Sequence, residues 1–339
     1  MEFLVLGGTS FAGRHVVEQA LAAGHTVTTF NRGRTNPDLF PDVRSLRGDR
    51  ASGDYAALAG AGPFDAVVDM CAYVPRAVRE AIGALGPSGL NGPYILISSV
   101  SAYAEPEAQV DVEGFTETSP LATMPEGSDA ASEHVTGETY GPLKALAEEA
   151  ARALLPDGLM IVRSGLIVGP HDPTDRFTYW IRRMVEGGTV LAPESPEVAR
   201  TQVIDAADLA RWIVGSAGDG RAGTYNAVAP PVPLCQVLDA VQAQAQIIWV
   251  PWEFLEGEGV QPWTDLPAWL PASMLRLLTA DGSKAASHGL RHRPIGDVVA
   301  DIAAWDQARR PQPLRAGLTR EREADLLAKF NAPGRPPAP

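Results

Sequence analysis

The sequence predicts an α/β fold, a doubly wound parallel sheet joined to a smaller C-terminal domain. Short apolar runs alternate with helical patterns through the first half of the chain, the mark of βαβ units with right-handed crossovers. Runs such as Ala66-Val67-Val68 and Tyr94-Ile95-Leu96-Ile97 stay apolar without alternation, as strands covered on both faces do. A chain of 339 residues, 45% hydrophobic and 20% charged, is too long for one ordinary core and too apolar for disorder.

Along the chain, strands are expected at Glu2–Leu6, Thr26–Phe30, Val43–Arg47, Ala66–Met70 and Tyr94–Ser98, with helices at Gly13–Ala23 and Arg76–Leu85. Glu105–Glu138 is acidic and rich in Pro, Gly, Ser and Thr, and reads as a long surface loop. A helix at Thr139–Leu155, a strand at Leu159–Arg163, helices at Arg176–Glu186 and Ala206–Ser216 and a strand at Thr224–Val228 follow. The last third changes character, with a helix at Cys235–Ala245, a Trp- and Pro-rich stretch from Trp249 to Pro271, and helices at Ile295–Ala308 and Arg320–Phe330. These patterns divide the chain into a first domain of 1–170 plus about 201–230 and a second of about 171–200 plus 231–330. Residues 331–339 read as a disordered Pro-rich tail.

Composition narrows the partners. A formal net charge of −13 repels phosphate backbones and anionic bilayers, which leaves a small-molecule substrate and argues against nucleic acid and membrane. The oligomeric state stays open, a homodimer among the options. Cys71 and Cys235, the only cysteines, lie far apart and form no disulfide framework. Met1 runs straight into Phe3-Leu4-Val5-Leu6 and Gly7 without a basic leader, and no run of eighteen apolar residues follows, so a cytoplasmic location is expected. His288 and His292 stand four apart, but Gly289 lies between them and no carboxylate completes a ligand set, so no metal site is expected. Arginines abound while Lys144, Lys284 and Lys329 are the only lysines, which singles out each of the three.

Gly7-Gly8-Thr9-Ser10-Phe11-Ala12-Gly13 follows a strand and opens a helix. In that context Gly7, Thr9, Ser10, Phe11 and Gly13 suit a turn whose backbone N–H groups cradle a pyrophosphate at the helix N-terminus. Ser10 stands where the nearest nucleotide-binding pattern has its middle glycine, so its hydroxyl must fit beside the phosphates or bond them. Asn31 lies eighteen residues after Gly13, close to where a carboxylate is expected about 20 residues on to hold a ribose 2′-hydroxyl. Asn31-Arg32-Gly33-Arg34 offers no carboxylate and two guanidiniums, which favours a 2′-phosphate and hence NADP over NAD, unless both arginines are merely solvated. Asp49 in Gly48-Asp49-Arg50 stands either against an adenine or in an ordinary turn. Tyr140 and Lys144, four apart at the start of a helix, share one face. An ammonium beside a phenol favours the phenolate and brings it into acid–base range. Ser98-Ser99-Val100-Ser101-Ala102-Tyr103, at a strand end upstream, offers a hydroxyl to hold a substrate oxygen.

With these three motifs in order, residues 2–230 resemble the short-chain dehydrogenase/reductase superfamily, in its extended or atypical branch of NAD(P)-dependent epimerase/dehydratase-like proteins with a Rossmann-type sheet. The resemblance implies a catalytic Ser99, with Ser101 as second choice, an acid–base Tyr140, and Lys144 as the lysine that also holds the nicotinamide ribose. Arg163–Pro170 resembles the strand and loop beside the nicotinamide, and Gln202–Ala210 the return from the second domain. The resemblance makes the first domain dinucleotide-binding and the second a substrate-binding lid, with substrate at the strand C-termini between them. Trp249, Trp252, Trp263 and Trp269 line either that pocket or the core.

Departures shape the expected reaction. Val100 and Ser101 replace the acidic pair of family dehydratases, and Arg163–Leu166 lacks the Asn of nucleotide-sugar enzymes. The expectation is a hydride transfer between NADP(H), or NAD(H), and a carbonyl or secondary alcohol. An internal-redox epimerase is the nearest alternative, and a non-catalytic NAD(P)-binding regulator or RNA-binding protein the alternative of another class.

Overall fold

The computed structural model describes residues 1–104, 114–128 and 133–332. Parts of the expected surface loop, 105–113 and 129–132, lie outside them, as do residues 333–339 of the expected tail. The elements in order are β1 (Glu2–Leu6), α1 (Phe11–Ala22), β2 (Thr26–Asn31), β3 (Arg44–Arg47), β4 (Ala66–Asp69), α2 (Pro75–Leu85), β5 (Tyr94–Ser99), α3 (Gly137–Leu154) and β6 (Leu159–Ser164). Next come β7 (Leu166–Val168), α4 (Arg176–Glu186), β8 (Gly188–Pro193), β9 (Arg200–Thr201), β10 (Val203–Asp205), α5 (Ala206–Gly218) and β11 (Gly223–Ala227). The remainder is β12 (Val232–Pro233), α6 (Leu234–Ala240), β13 (Ala245–Val250), α7 (Trp252–Gly257), α8 (Ser283–Ser287), α9 (Ile295–Arg309) and α10 (Arg320–Phe330).

The chain divides into two compact units, one of Met1–Ile167, Ile204–Val228 and Ala280–His292, the other of Val168–Val203, Ala229–Thr279 and Arg293–Pro339. Ala280–His292 therefore belongs to the first unit, whereas the sequence pattern groups it with the second domain. Lys284 shows why: its Nζ donates to the Thr224 carbonyl at 2.7 Å and sits 4.6 Å from the Tyr225 ring centre, fastening α8 to β11.

The first unit is built on seven parallel strands in the order β11-β6-β5-β4-β1-β2-β3. Successive side chains point to opposite faces, and both faces are covered. Phe3, Val5, Val68 and Ile97 pack with Val16 and Val17 of α1 and Leu209 and Ile213 of α5. Leu4, Leu6, Val67 and Leu96 pack with Val78 and Ala81 of α2 and Ala147 and Ala151 of α3. The strand order reverses between β1 and β4, which opens a crevice beyond their carboxyl ends.

Charge is buried beside the second of these cores. Arg163 of β6 and Glu148 of α3, both almost fully buried, meet at 2.7 Å. Ser98 donates to Glu148 at 2.5 Å, and the Arg163 guanidinium lies 4.6 Å from the centre of the Tyr103 ring.

In the second unit α4 buries two arginines. Arg182 pairs with Asp306 of α9 at 2.5 Å and Arg183 with Glu323 of α10 at 2.7 Å. Trp269 is fully buried, which makes it a core residue, and packs 5.5 Å from the half-buried Trp252. The helix expected over Cys235–Ala245 ends at Ala240, because Gln242 adopts a left-handed φ of 52° and Ala245–Val250 forms a strand instead. That strand pairs in parallel with β8, Ala245 opposite Gly188.

Removing one partner of a buried ion pair leaves the other charge uncompensated. Glu148→Ala, which strands Arg163, is expected to destabilise the first unit by about 3–5 kcal/mol. Urea unfolding followed by circular dichroism measures it.

Candidate functional site

A cavity of about 320 Å³ opens at the β1/β4 crevice, its wall including Gly7, Thr9, Ser10, Asn31, Arg32, Arg34 and Asp49. Its rim depends on how tightly the chain turns after β1. A Cβ at Gly13 would lie 2.1 Å from the Gly7 carbonyl oxygen, so only glycine lets α1 start this close to the strand. Gly13 thus lies behind the wall and Phe11 opens the helix with φ 35°. Ser10, the N-cap of α1, is exposed, its hydroxyl caps no backbone group, and the first turn of α1 carries no acid. Free N–H groups, a hydroxyl and a positive helix end suit a phosphate.

At the far end of the cavity the Asn31 amide is fixed. Its Oδ1 accepts from the Gly33 N–H at 2.8 Å and from an Arg47 guanidinium nitrogen, and its Nδ2 donates to Thr29 Oγ1 at 3.4 Å. Arg32 and Arg34 are exposed beside it. Arg34 reaches Asp49 at 3.8 Å, and Asp49 Oδ1 accepts from the Ala51 N–H at 3.0 Å, the turn geometry that was one of its two readings.

Below the cavity lies a buried ion pair that sequence reasoning missed. Arg50 grips Asp69, at the end of β4, through two contacts of 2.5 and 2.9 Å, and Tyr94 donates to the same carboxylate at 2.8 Å. Burial works against the charged carboxylate, but the Arg50 guanidinium outweighs it and holds the Asp69 pKa below the usual range. An aspartate ending the apolar run Ala66-Val67-Val68 was the available signal. Cys71 and Tyr73, just beyond it, also line the cavity.

Tyr140 and Lys144 ride on α3, whose approach to the end of β5 depends on a second glycine. A Cβ at Gly141 would lie 2.1 Å from the Ser101 carbonyl oxygen, so glycine lets the first turns of α3 seat against the turn that follows β5. Ser99 caps that turn, its Oγ accepting from the Ser101 N–H at 3.1 Å. Thr136 caps α3 in a reciprocal box with Thr139, which sets where the helix begins and hence where Tyr140 stands. Lys144 is buried, and its Nζ donates to the carbonyls of Ala72 at 2.7 Å and Ile97 at 2.6 Å. Burial lowers its pKa to about 8, against the opposing pull of Asp69 and Glu148, so the amine is mostly charged at neutral pH. The helix turns that carry Tyr140 and Lys144 thus seat against the turn that Ser99 caps, and a phenol, an ammonium and a hydroxyl are groups suited to moving a proton at a substrate oxygen.

The sequence profile of the NAD dependent epimerase/dehydratase family matches residues 3–227. The chain belongs to that family. Membership supports an oxidoreductase-type enzyme using a nicotinamide cofactor, and the mostly parallel sheet is that of its structural neighbours. Among curated proteins, a 2'-dehydrokanamycin reductase of Streptomyces kanamyceticus is 31% identical over 172 residues. That match takes in 49% of this chain, and the chain spans under half, 43%, of that relative. Solved structures of the same fold include the Bordetella bronchiseptica enzyme WbmH in complex with NAD+, with a TM-score of 0.65 at 17% identity over 91% of this chain and 99% of that one. The Thermus thermophilus UDP-glucose 4-epimerase complex with NAD has a TM-score of 0.64 at 17% identity, over 91% of this family member and 100% of the epimerase. Among the described residues no helix is long and apolar enough to cross a membrane, and no group of three or more His, Cys, Asp or Glu side chains could hold a metal ion.

Asp69 gives this family member a pH signature. Its carboxyl pKa is lower folded than unfolded, so the stabilisation it brings is complete above the unfolded carboxylate range, about 3.9, and is lost as pH falls through the folded value. The stability deficit of Asp69→Asn relative to wild type is therefore expected to be largest near neutrality and to shrink in acid. Chemical denaturation at a series of pH values checks it.

Proposed function

We propose that this protein is an NADP-dependent reductase of a small-molecule carbonyl, with Ser99, Tyr140 and Lys144 as its reacting groups and the second unit as its substrate-binding part. The cofactor preference rests on Asn31. Its carbonyl oxygen already serves two donors, so the amide has no acceptor left for a ribose 2′-hydroxyl and presents its one remaining N–H beside Arg32 and Arg34. That set suits a 2′-phosphate. Gly7, Thr9 and Ser10, with the N–H groups at the start of α1, would hold the pyrophosphate, and Asp49 the adenine side.

The reaction rests on the seating of the Tyr140–Lys144 turn against the Ser99–Ser101 turn. When bound, the nicotinamide cofactor supplies or accepts a hydride. Ser99 orients the substrate oxygen and Tyr140 passes a proton to it. The charged Lys144 favours the phenolate that remains and, with two of its three N–H donors on carbonyls, keeps one for the cofactor ribose. The relative's name, a reductase, supports net reduction over epimerisation.

Two measurements test this reading. In fluorescence titrations NADPH is expected to bind more tightly than NADH, and Arg32→Ala to lose about 1.5–3 kcal/mol for NADPH selectively. Asn31→Asp, whose second oxygen adds an acceptor, is expected to move the preference toward NADH. Equal affinities in wild type overturn the NADP assignment.

For the reaction, candidate ketones are incubated with (4R)- and (4S)-deuterated NADPH in turn. Stoichiometric cofactor oxidation is expected, with deuterium in the product from one of the two and none with Tyr140→Phe. Inversion of an alcohol without net cofactor change hands the assignment to the epimerase.

A further inference from the structure

Tyr73 has no task in the proposed reaction, yet it lines the cavity with its ring centre 5.6 Å from Lys144 Nζ. After Asp69 the chain runs through Cys71 and the fully buried Ala72, whose carbonyl receives Lys144 Nζ at 2.7 Å. The Tyr73 N–H then donates back to the Cys71 carbonyl at 3.0 Å, a tight turn at the cavity wall. Tyr73 is 50% exposed while Lys144 is 3% exposed, and the Lys144 Nζ lies 5.6 Å from the centre of the Tyr73 ring. A half-exposed ring on the cavity wall thus lies over a buried ammonium that does not itself line the cavity.

We propose that Tyr73 is a positioning residue for the Tyr140–Lys144 pair: its ring shields the Lys144 ammonium from the cavity and so sets the pH range over which that amine carries charge. The proposal rests on Tyr140 and Lys144 being the proton-handling pair. The charged and titratable groups acting on the amine are Asp69 at the end of β4, Arg50 and Cys71 beside it, and Glu148 on α3, while Tyr140 of α3 acts on the Tyr73 phenol. Asp69 and Glu148 favour the ammonium, Arg50 opposes it, and loss of water outweighs them. Access of water is therefore the strongest control on the charge of Lys144, and Tyr73 governs it. Burial and the nearby Tyr140 push the Tyr73 phenol itself up to about 12, so it stays neutral where Lys144 titrates and is no rival acid near neutrality.

The chain has three lysines, Lys144, Lys284 and Lys329, so NMR of protein labelled at the lysine side-chain carbon next to the amine follows each one separately, with Lys144→Arg to assign the signals. The titration is run on wild type, Tyr73→Phe, Tyr73→Leu and Tyr73→Ala without substrate or cofactor. In Tyr73→Ala the Lys144 midpoint is expected to rise from about 8 toward the ordinary lysine range, by about half a pH unit or more. Tyr73→Phe should match wild type, and Tyr73→Leu, which keeps bulk but loses the π face, should titrate at or below wild type. The Lys284 signal, far from the cavity wall, should not move in any variant. An unmoved or lowered midpoint in Tyr73→Ala overturns the proposal, as does a rise in Tyr73→Phe or Tyr73→Leu equal to that in Tyr73→Ala. Because no turnover is read, this outcome is independent of whether the enzyme proves to be a reductase.

Discussion

One buried ammonium ties the candidate site together. Lys144 anchors the inner face of α3 to the backbone after β4 through Ala72 and to β5 through Ile97. One turn further along the same face, Glu148 answers Arg163 of β6 and Ser98 of β5. α3 is thus registered against three consecutive strand ends by two charges of opposite sign. Sliding the helix by a residue would strand both charges in a low-dielectric interior, at a cost of several kcal/mol each. Gly141 then decides how near the helix may come, and Thr136 where it begins. These constraints set where the first turns of α3, and with them Tyr140, lie against the turn that Ser99 caps.

The cavity end obeys a different logic. The chain as a whole carries −13, yet Arg32, Arg34 and Arg47 stand together where β2 and β3 end. Screening limits the reach of surface charge to roughly 8–10 Å at physiological salt, so local guanidiniums set the potential at the rim more than the distant acids do. Beneath the rim the Arg50–Asp69–Tyr94 network is neutral overall and buried, a floor for the cavity with no net charge of its own.

Much of this was legible in the sequence because its signals are local. Uninterrupted apolar runs marked β4 and β5 as strands covered on both faces, and the glycines marked the turn into α1. The expected bounds of α4 and α10 coincide with those observed. What escaped depends on partners far along the chain. β8 and β13 hold each other by pairing across more than fifty residues, and neither has a pattern that announces the other. Arg47 gained its place from the pairing of β3 with β2, and Arg50 and Tyr73 from loops that meet only once the sheet has formed. Glu148 was within reach: it lies one helical turn from Lys144 on an otherwise small and apolar face, and Arg163 interrupts an apolar strand. Together they signalled a buried pair.

The discontinuity of both units bears on how the chain comes off the ribosome. The first unit is completed only by Ala280–His292, after most of the second has been made. The second waits longer still, since Arg183 of α4 is neutralised by Glu323, 140 residues later and close to the end of the chain. During synthesis the β1–β6 sheet emerges with its β11 edge uncovered, and α4 with its arginines unanswered. Neither unit can therefore be finished as an independent domain before a stretch of the other has been made. The β6 edge stays open until β11 has been made, an exposed parallel edge of the kind that chaperones masking strand edges can cover.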